Sequence, residues 1–210
     1  MNTKKPIGVI DSGIGNIQSV INALNYLKIP NKIVQNAKDL HHYSKAILPG
    51  VGSFKYGMKN LAQTSFSNSI LELVSLKKIS LLGICLGMQL LYEHSEEDGG
   101  YKGLGIIPGT VKKIENKKNI RVPNIGWRKI IKINQSKLLN DIENDPICYF
   151  VHSYACETQD KNIVTGILNY GQNFDVLIES ENVFGTQFHP EKSQIIGLKI
   201  LQNFSQIKKL

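Results

Sequence analysis

Short apolar runs alternate with amphipathic stretches through the first half of the chain. Ile7 to Ile10, Lys32 to Val34, Ala46 to Leu48 and Leu81 to Cys85 are compact runs of the kind that buried strands use. After the first of them, Ile17, Val20, Ile21, Leu24 and Leu27 recur at helical spacing and mark one face of a helix. Further helices are predicted around Phe54 to Leu61 and over Phe66 to Leu76, the second carrying Phe66, Ile70, Leu73 and Val74. This alternation predicts a parallel sheet covered on both faces, with functional turns at the C-terminal ends of its strands. From about Ile106 the pattern changes to strands and turns. Trp127, Lys129, Ile131 and Ile133 keep period two, and Cys148 to Val151, Ile163 to Leu168 and Val176 to Ile178 are further strands. A last strand, Val183 to Phe188, precedes a closing helix marked by Ile195, Leu198, Leu201 and Phe204. The expected fold is α/β with a mixed sheet, and 210 residues suit one domain, 1–210, that buries a sizeable core.

Composition narrows the function classes. The formal charge of +8 raises nucleic acid as a partner, yet of the 25 basic residues only Arg121 and Arg128 are arginine. The lysines are spread without a recognition-helix or RNA-binding signature, so a solvated basic surface is the expectation and no nucleic-acid partner is implied. Lys112 to Lys118 reads as an exposed lysine-rich turn. No stretch approaches a membrane span, and the apolar run after Lys4 and Lys5 is too short for a signal-peptide core, which points to a cytoplasmic protein. Cys85, Cys148 and Cys156 are an odd set without metal spacing; Cys148 and Cys156 read as ordinary reduced thiols.

Chemistry concentrates in three segments. In Leu82-Gly83-Ile84-Cys85-Leu86-Gly87-Met88-Gln89 an apolar strand delivers a cysteine into a sharp turn, with glycine two residues before and two after it. Neighbours without Cβ let strand, helix and substrate crowd around an exposed nucleophile, and the helix starting at Leu86 turns its free N–H groups toward the sulfur. Far downstream, Pro190 pushes His189 into an extended conformation, so that His189 and Glu191 share a face and can touch. A histidine oriented by a carboxylate is what a cysteine nucleophile needs as its base. The third segment, Pro49-Gly50-Val51-Gly52-Ser53 after the strand at Ala46 to Leu48, is a glycine-rich turn that can present N–H groups to an oxyanion or to a phosphate.

Together these segments resemble the class I, triad-type glutamine amidotransferases. Within that family the likeness runs to the glutaminase subunits of imidazole glycerol phosphate synthase. It extends over Asp11-Ser12-Gly13-Ile14-Gly15-Asn16, the turn at Gly50, the cysteine motif, Ser95-Glu96-Glu97, Gly126-Trp127, Phe150-Val151-His152-Ser153-Tyr154 and the closing His189-Pro190-Glu191-Lys192-Ser193. The resemblance implies a flavodoxin-like fold with a central, mostly parallel mixed sheet and helices on both faces. It makes Cys85 the nucleophile, His189 the base and Glu191 its orienting acid. The backbone of Gly50, Val51 and Gly52, with the amide of Leu86, would hold the oxyanion, and Gln89, Glu97, His152, Ser153 and Tyr154 would bind glutamine. No metal or organic cofactor is needed for this chemistry.

The 210 residues leave no length for a synthase domain, so a partner that receives ammonia is expected. By resemblance it is a (β/α)8-barrel cyclase forming a heterodimer, with Asn16, Trp127 and Lys192 near the interface. One departure stands out: the family pattern Pro-His-x-Gly-Trp-Asn is Pro123-Asn124-Ile125-Gly126-Trp127-Arg128 here, which changes two residues expected at the partner surface. A paralogue feeding another acceptor, such as a sugar amidination step in surface polysaccharide synthesis, is the alternative that Asn124 and Arg128 suggest. A cysteine peptidase or gamma-glutamyl hydrolase on a similar fold would leave the partner-face residues without a role.

Overall fold

A computed structural model of the chain describes residues 5–116, 120–143 and 145–208. Strands β1 (Ile7–Ile10), β2 (Asn31–Val34), β3 (Lys45–Gly50) and β4 (Ser80–Cys85) form the first half of the sheet. They pair in parallel, with β1 between β2 and β3, and β4 beyond β3. Helices α1 (Ile17–Tyr26), α2 (Phe54–Gln63) and α3 (Phe66–Ser75) connect them. Along these strands side chains alternate between two cores until Cys85, which stays on the side of Ile84. Val9, Ile47, Leu82 and Ile84 pack with α1, while Ile10, Ala46, Leu48 and Leu81 pack with α2 and α3.

After Cys85 the chain makes the four-residue helix α4 (Leu86–Gln89) and then returns to strand. The remaining strands are β5 (Tyr92–Ser95), β6 (Tyr101–Lys102), β7 (Ile107–Lys113), β8 (Asn124–Lys129), β9 (Ile131–Lys132), β10 (Ile147–His152), β11 (Tyr154–Thr158), β12 (Val164–Asn169), β13 (Asn173–Ser180) and β14 (Val183–Thr186). Strand β14 returns to the centre and lies parallel to β4, and β13, β11, β7, β5 and β6 follow outward in that order. With β12 on β13 and β9 on β12 the described residues form a mixed sheet of 12 strands, and β8 and β10 form a separate antiparallel pair. Helix α5 (Gln194–Gln206) closes the α1 side.

Several elements differ from the sequence pattern. Strand pairing breaks at the buried Ile130, so β8 and β9 belong to different sheets, and Trp127, Ile131 and Ile133 of the period-two series are exposed. Lys112 and Lys113 end strand β7 instead of forming a turn, with Lys112 paired to Glu157; positions 117–118 lie outside the described residues. In α5 the buried stripe is Gly197, Ile200, Leu201, Asn203 and Phe204, and Ile195 is exposed. Gly197 fixes that rotation, since a Cβ there would meet Pro190 O at 1.9 Å. The strand ending in the histidine motif stops at Thr186, although Gln187 N–H still donates to Val176 O on β13.

Candidate active site

The turn at Cys85 is a strained one. Its φ of 54° with ψ of −111° is rare for a residue with a Cβ and costs on the order of 1–3 kcal/mol. The flanking glycines are steric requirements. A Cβ on Gly83 would stand 2.7 Å from Gly87 O, one on Gly87 would stand 1.9 Å from Leu48 O, and one on Gly50 would stand 2.7 Å from Gly87 N. Elbow and glycine-rich turn are therefore in backbone contact. Because α4 is one turn long, what it offers the sulfur is its first N–H groups and little macrodipole. The thiol is not at a surface: Cys85 is 7% exposed and lies on the floor of a pocket of about 420 Å³.

His189 is extended, at φ −98° and ψ 96°, and Glu191 follows in a single 3-10 turn at Pro190–Lys192. His189 Nδ1 donates to Glu191 Oε1 at 2.8 Å, and both side chains are 3% exposed. Ser193 anchors the segment, since its Oγ donates to His189 O and accepts from Tyr149 N–H. Among the described residues the buried His189 Nε2 has no partner in full hydrogen-bonding geometry, and Cys85 stands beside it. Burial opposes charge on this ring, but hydrogen bonding and charge at Cys85 and Glu191 outweigh it and raise the His189 pKa to about 10.

Of the residues singled out from sequence, Val51, Gly52, Cys85, Leu86, Gln89, Glu97, His152, Ser153, Tyr154 and His189 line this one pocket, joined by Pro123 and Val151. Ser153 is where the chain leaves the β8–β10 pair for the main sheet, which brings His152, Ser153 and Tyr154 to the pocket together. Glu97 is partly committed: its Oε2 accepts from Phe54 N–H at 2.6 Å and caps α2. Burial raises its pKa, the Phe54 amide lowers it and the neighbouring Asp98 raises it. Val51 N–H, expected in the oxyanion site, donates to Ile14 O at 2.6 Å and so is not aimed at the pocket.

The expected partner-face residues divide into two groups. Asn16, which caps α1, and Lys192 are exposed, as is Trp127. Asn124 is not on the surface at all. It is fully buried, and its Nδ2 lies 3.0 Å from His152 Nε2. His152 Nδ1 donates to Tyr154 O at 2.8 Å, so Nε2 accepts from Asn124 and the ring is neutral. Burial dominates there and lowers the His152 pKa to about 4, with the Tyr154 carbonyl opposing and His189 adding to the fall. Arg128 turns to the same side of β8 as Asn124. Its guanidinium stands 5.1 Å over the Tyr170 ring and donates to Trp127 O and Ile125 O.

Gln187 is a site residue that the motif reading passed over. It is fully buried, and its Nε2 donates to Cys85 Sγ at 3.8 Å. The signal was present as period two: Gln187, His189 and Glu191 alternate with Phe188 and Pro190, and the first two reach the sulfur.

The family model for class-I glutamine amidotransferases matches residues 8–206. The imidazole glycerol phosphate synthase subunit HisH of Leptospira interrogans is 42% identical over 204 residues, covering 96% of this chain and 100% of that protein. The subunit of the same name from Bacillus subtilis is 40% identical over 205 residues, with 96% of each chain covered. Among solved structures, one titled as a glutamine amidotransferase superposes with a TM-score of 0.74 at 18% identity, covering 94% of this chain and 98% of that one. PurLQS from Thermotoga maritima gives 0.72 at 21% identity, with 95% and 97% covered. These two share the fold. With a family match from strand β1 to the end of helix α5, and relatives aligned along nearly their full length, the chain belongs to the class-I glutamine amidotransferases.

Proposed function

We propose that the chain is the glutaminase subunit of an imidazole glycerol phosphate synthase, hydrolysing glutamine to glutamate and ammonia for a cyclase subunit in histidine biosynthesis. The observation that carries this reading is identity of 42% along the whole length of a subunit bearing that name. The pocket chemistry agrees with it. Cys85 Sγ attacks the side-chain carbonyl carbon of glutamine, and the negative oxygen of the tetrahedral intermediate falls to the N–H of Leu86 and the glycine-rich turn. Collapse expels ammonia, which takes the proton from His189 Nε2 and leaves a thioester on Cys85. His189 then removes a proton from water as it attacks the thioester, releasing glutamate and restoring the thiol. Glu191 orients the ring throughout and stabilises it whenever it is protonated.

Ammonia freed into neutral water becomes mostly ammonium, which is not a nucleophile, so a docked acceptor is part of this reading. The β8–β10 pair supplies a surface for it. Ile125, Trp127 and Ile147 are 52%, 43% and 54% exposed, and Trp127 packs edge-on against Tyr149. Ile125 pairs across the strands with Val151, which lines the pocket, so this apolar face adjoins the site. We assign a (β/α)8-barrel cyclase to it. Asn124 and Arg128 face the other side of β8, and the hint they offered of a different acceptor falls away. A reducing cytoplasm, which keeps Cys85 a free thiol, is the location that fits, and the chain reads as one amidotransferase domain.

The test is a reconstitution. Mixed with a cyclase subunit, the protein should support glutamine-dependent formation of imidazole glycerol phosphate, and Cys85→Ala should support it only with added ammonia. Glutamine hydrolysis without any transfer to the cyclase would move the assignment to another acceptor.

A further inference from the structure

We propose that Gln187 is a positioning residue for the nucleophile: its side-chain amide donates to Cys85 Sγ, favours the thiolate and holds the sulfur toward the pocket. The inference rests on the reading of Cys85 as the attacking atom.

Which end of the Gln187 amide faces the sulfur is decided by a chain of contacts. The Tyr154 carbonyl can only accept, so the Gln89 atom 3.0 Å from it is the amide nitrogen. That same Gln89 Nε2 lies 3.0 Å from the Gln187 side chain, which must present its oxygen there. The Cys156 thiol, kept protonated by complete burial, lies 4.0 Å from the same oxygen and donates to it. The nitrogen is thereby left on the far side, 3.8 Å from Cys85 Sγ. A flipped amide would oppose two NH2 groups in a buried place and set a carbonyl oxygen against the sulfur lone pairs, leaving buried polar groups unpaired.

An N–H donor stabilises the anionic form of its acceptor, so this contact favours thiolate over thiol. It also constrains a side chain that stands on a strained backbone. Gln187 does not line the pocket, so it acts through Cys85 and not on glutamine.

Gln187→Met and Gln187→Leu replace the amide by an apolar side chain of similar bulk, removing the donor to Cys85 Sγ and with it the oxygen that accepts from Gln89 Nε2 and the Cys156 thiol. The rate of Cys85 alkylation by iodoacetamide should move to higher pH by about one unit, making the reaction on the order of tenfold slower at neutral pH. Turnover should fall similarly, and by more than KM for glutamine rises, because Gln89 of the pocket lining loses the Gln187 oxygen but keeps its bond to Tyr154 O. A wild-type alkylation profile in either folded variant overturns the proposal. Should neither fold, the unmodified protein decides: the Gln187 side-chain NH2 signal in a nitrogen-15 spectrum should titrate with the midpoint of Cys85 alkylation, and a flat trace overturns it. Failure of Cys85 to alkylate in the unmodified protein would instead bring down the glutaminase reading, and this inference with it.

Discussion

Replacing Glu191 by Gln removes the charge that faces His189 and keeps the shape of the side chain. The His189 pKa stands at about 10 in the fold against an ordinary 6.5. Each pH unit corresponds to about 1.36 kcal/mol, so the supports on the two sides of the ring contribute about 5 kcal/mol beyond the cost of burying it. Glu191 provides one of the two supports, so part of this stabilisation is lost when its charge is removed. The direction with pH follows from the raised value. The folded state binds the proton more tightly than the unfolded state, so this contribution is complete below about pH 6.5 and disappears as pH rises to about 10. In urea denaturation, the stability difference between wild type and Glu191→Gln should therefore be largest near pH 6 and shrink steadily toward pH 10. Glutaminase activity, measured with the partner present, should fall less than in His189→Ala, because the carboxylate orients and stabilises the imidazolium without transferring the proton. A stability difference that stays constant from pH 6 to pH 10 would falsify the ion pair at this position.

Cys85→Ala should be folded and inactive, and a glutamine-analogue electrophile should label Cys85 and spare Cys148, whose thiol is pushed up to about 12 by burial; peptide mapping reads this directly. Gly87→Ala should lower stability by about 3 kcal/mol or more, seen as a reduced urea midpoint, because the new Cβ falls 1.9 Å from Leu48 O between two backbones that cannot separate. His152, with its pKa lowered to about 4, contributes stability that is present above about pH 6.5 and lost as pH falls toward 4. His152→Gln, which can still accept from Asn124 and donate to Tyr154 O, should flatten that acid limb; an unchanged limb would remove His152 as its source.

The sequence by itself determined the features whose causes are local. Glycines at 83 and 87 are dictated by the crowding around one sharp turn, and Pro190 extends the histidine before it, so the Cys85 elbow and the His189–Glu191 contact were legible as short motifs. Helices α1 and α3 were legible for the same reason, since one apolar face at helical spacing meets one sheet. Only the tertiary structure decided which side of an alternating strand is covered. Period two gives a strand two faces without saying which is buried; packing turned Asn124 inward to His152, seated Arg128 over Tyr170 and left Trp127 to the outside. The bond from Val51 N–H to Ile14 O and the amide relay from Tyr154 through Gln89 and Gln187 to Cys85 were illegible in the sequence for a related reason. Each joins segments far apart in the chain, and the direction of a hydrogen bond between them is set by the assembled neighbours, not by the residues that flank it.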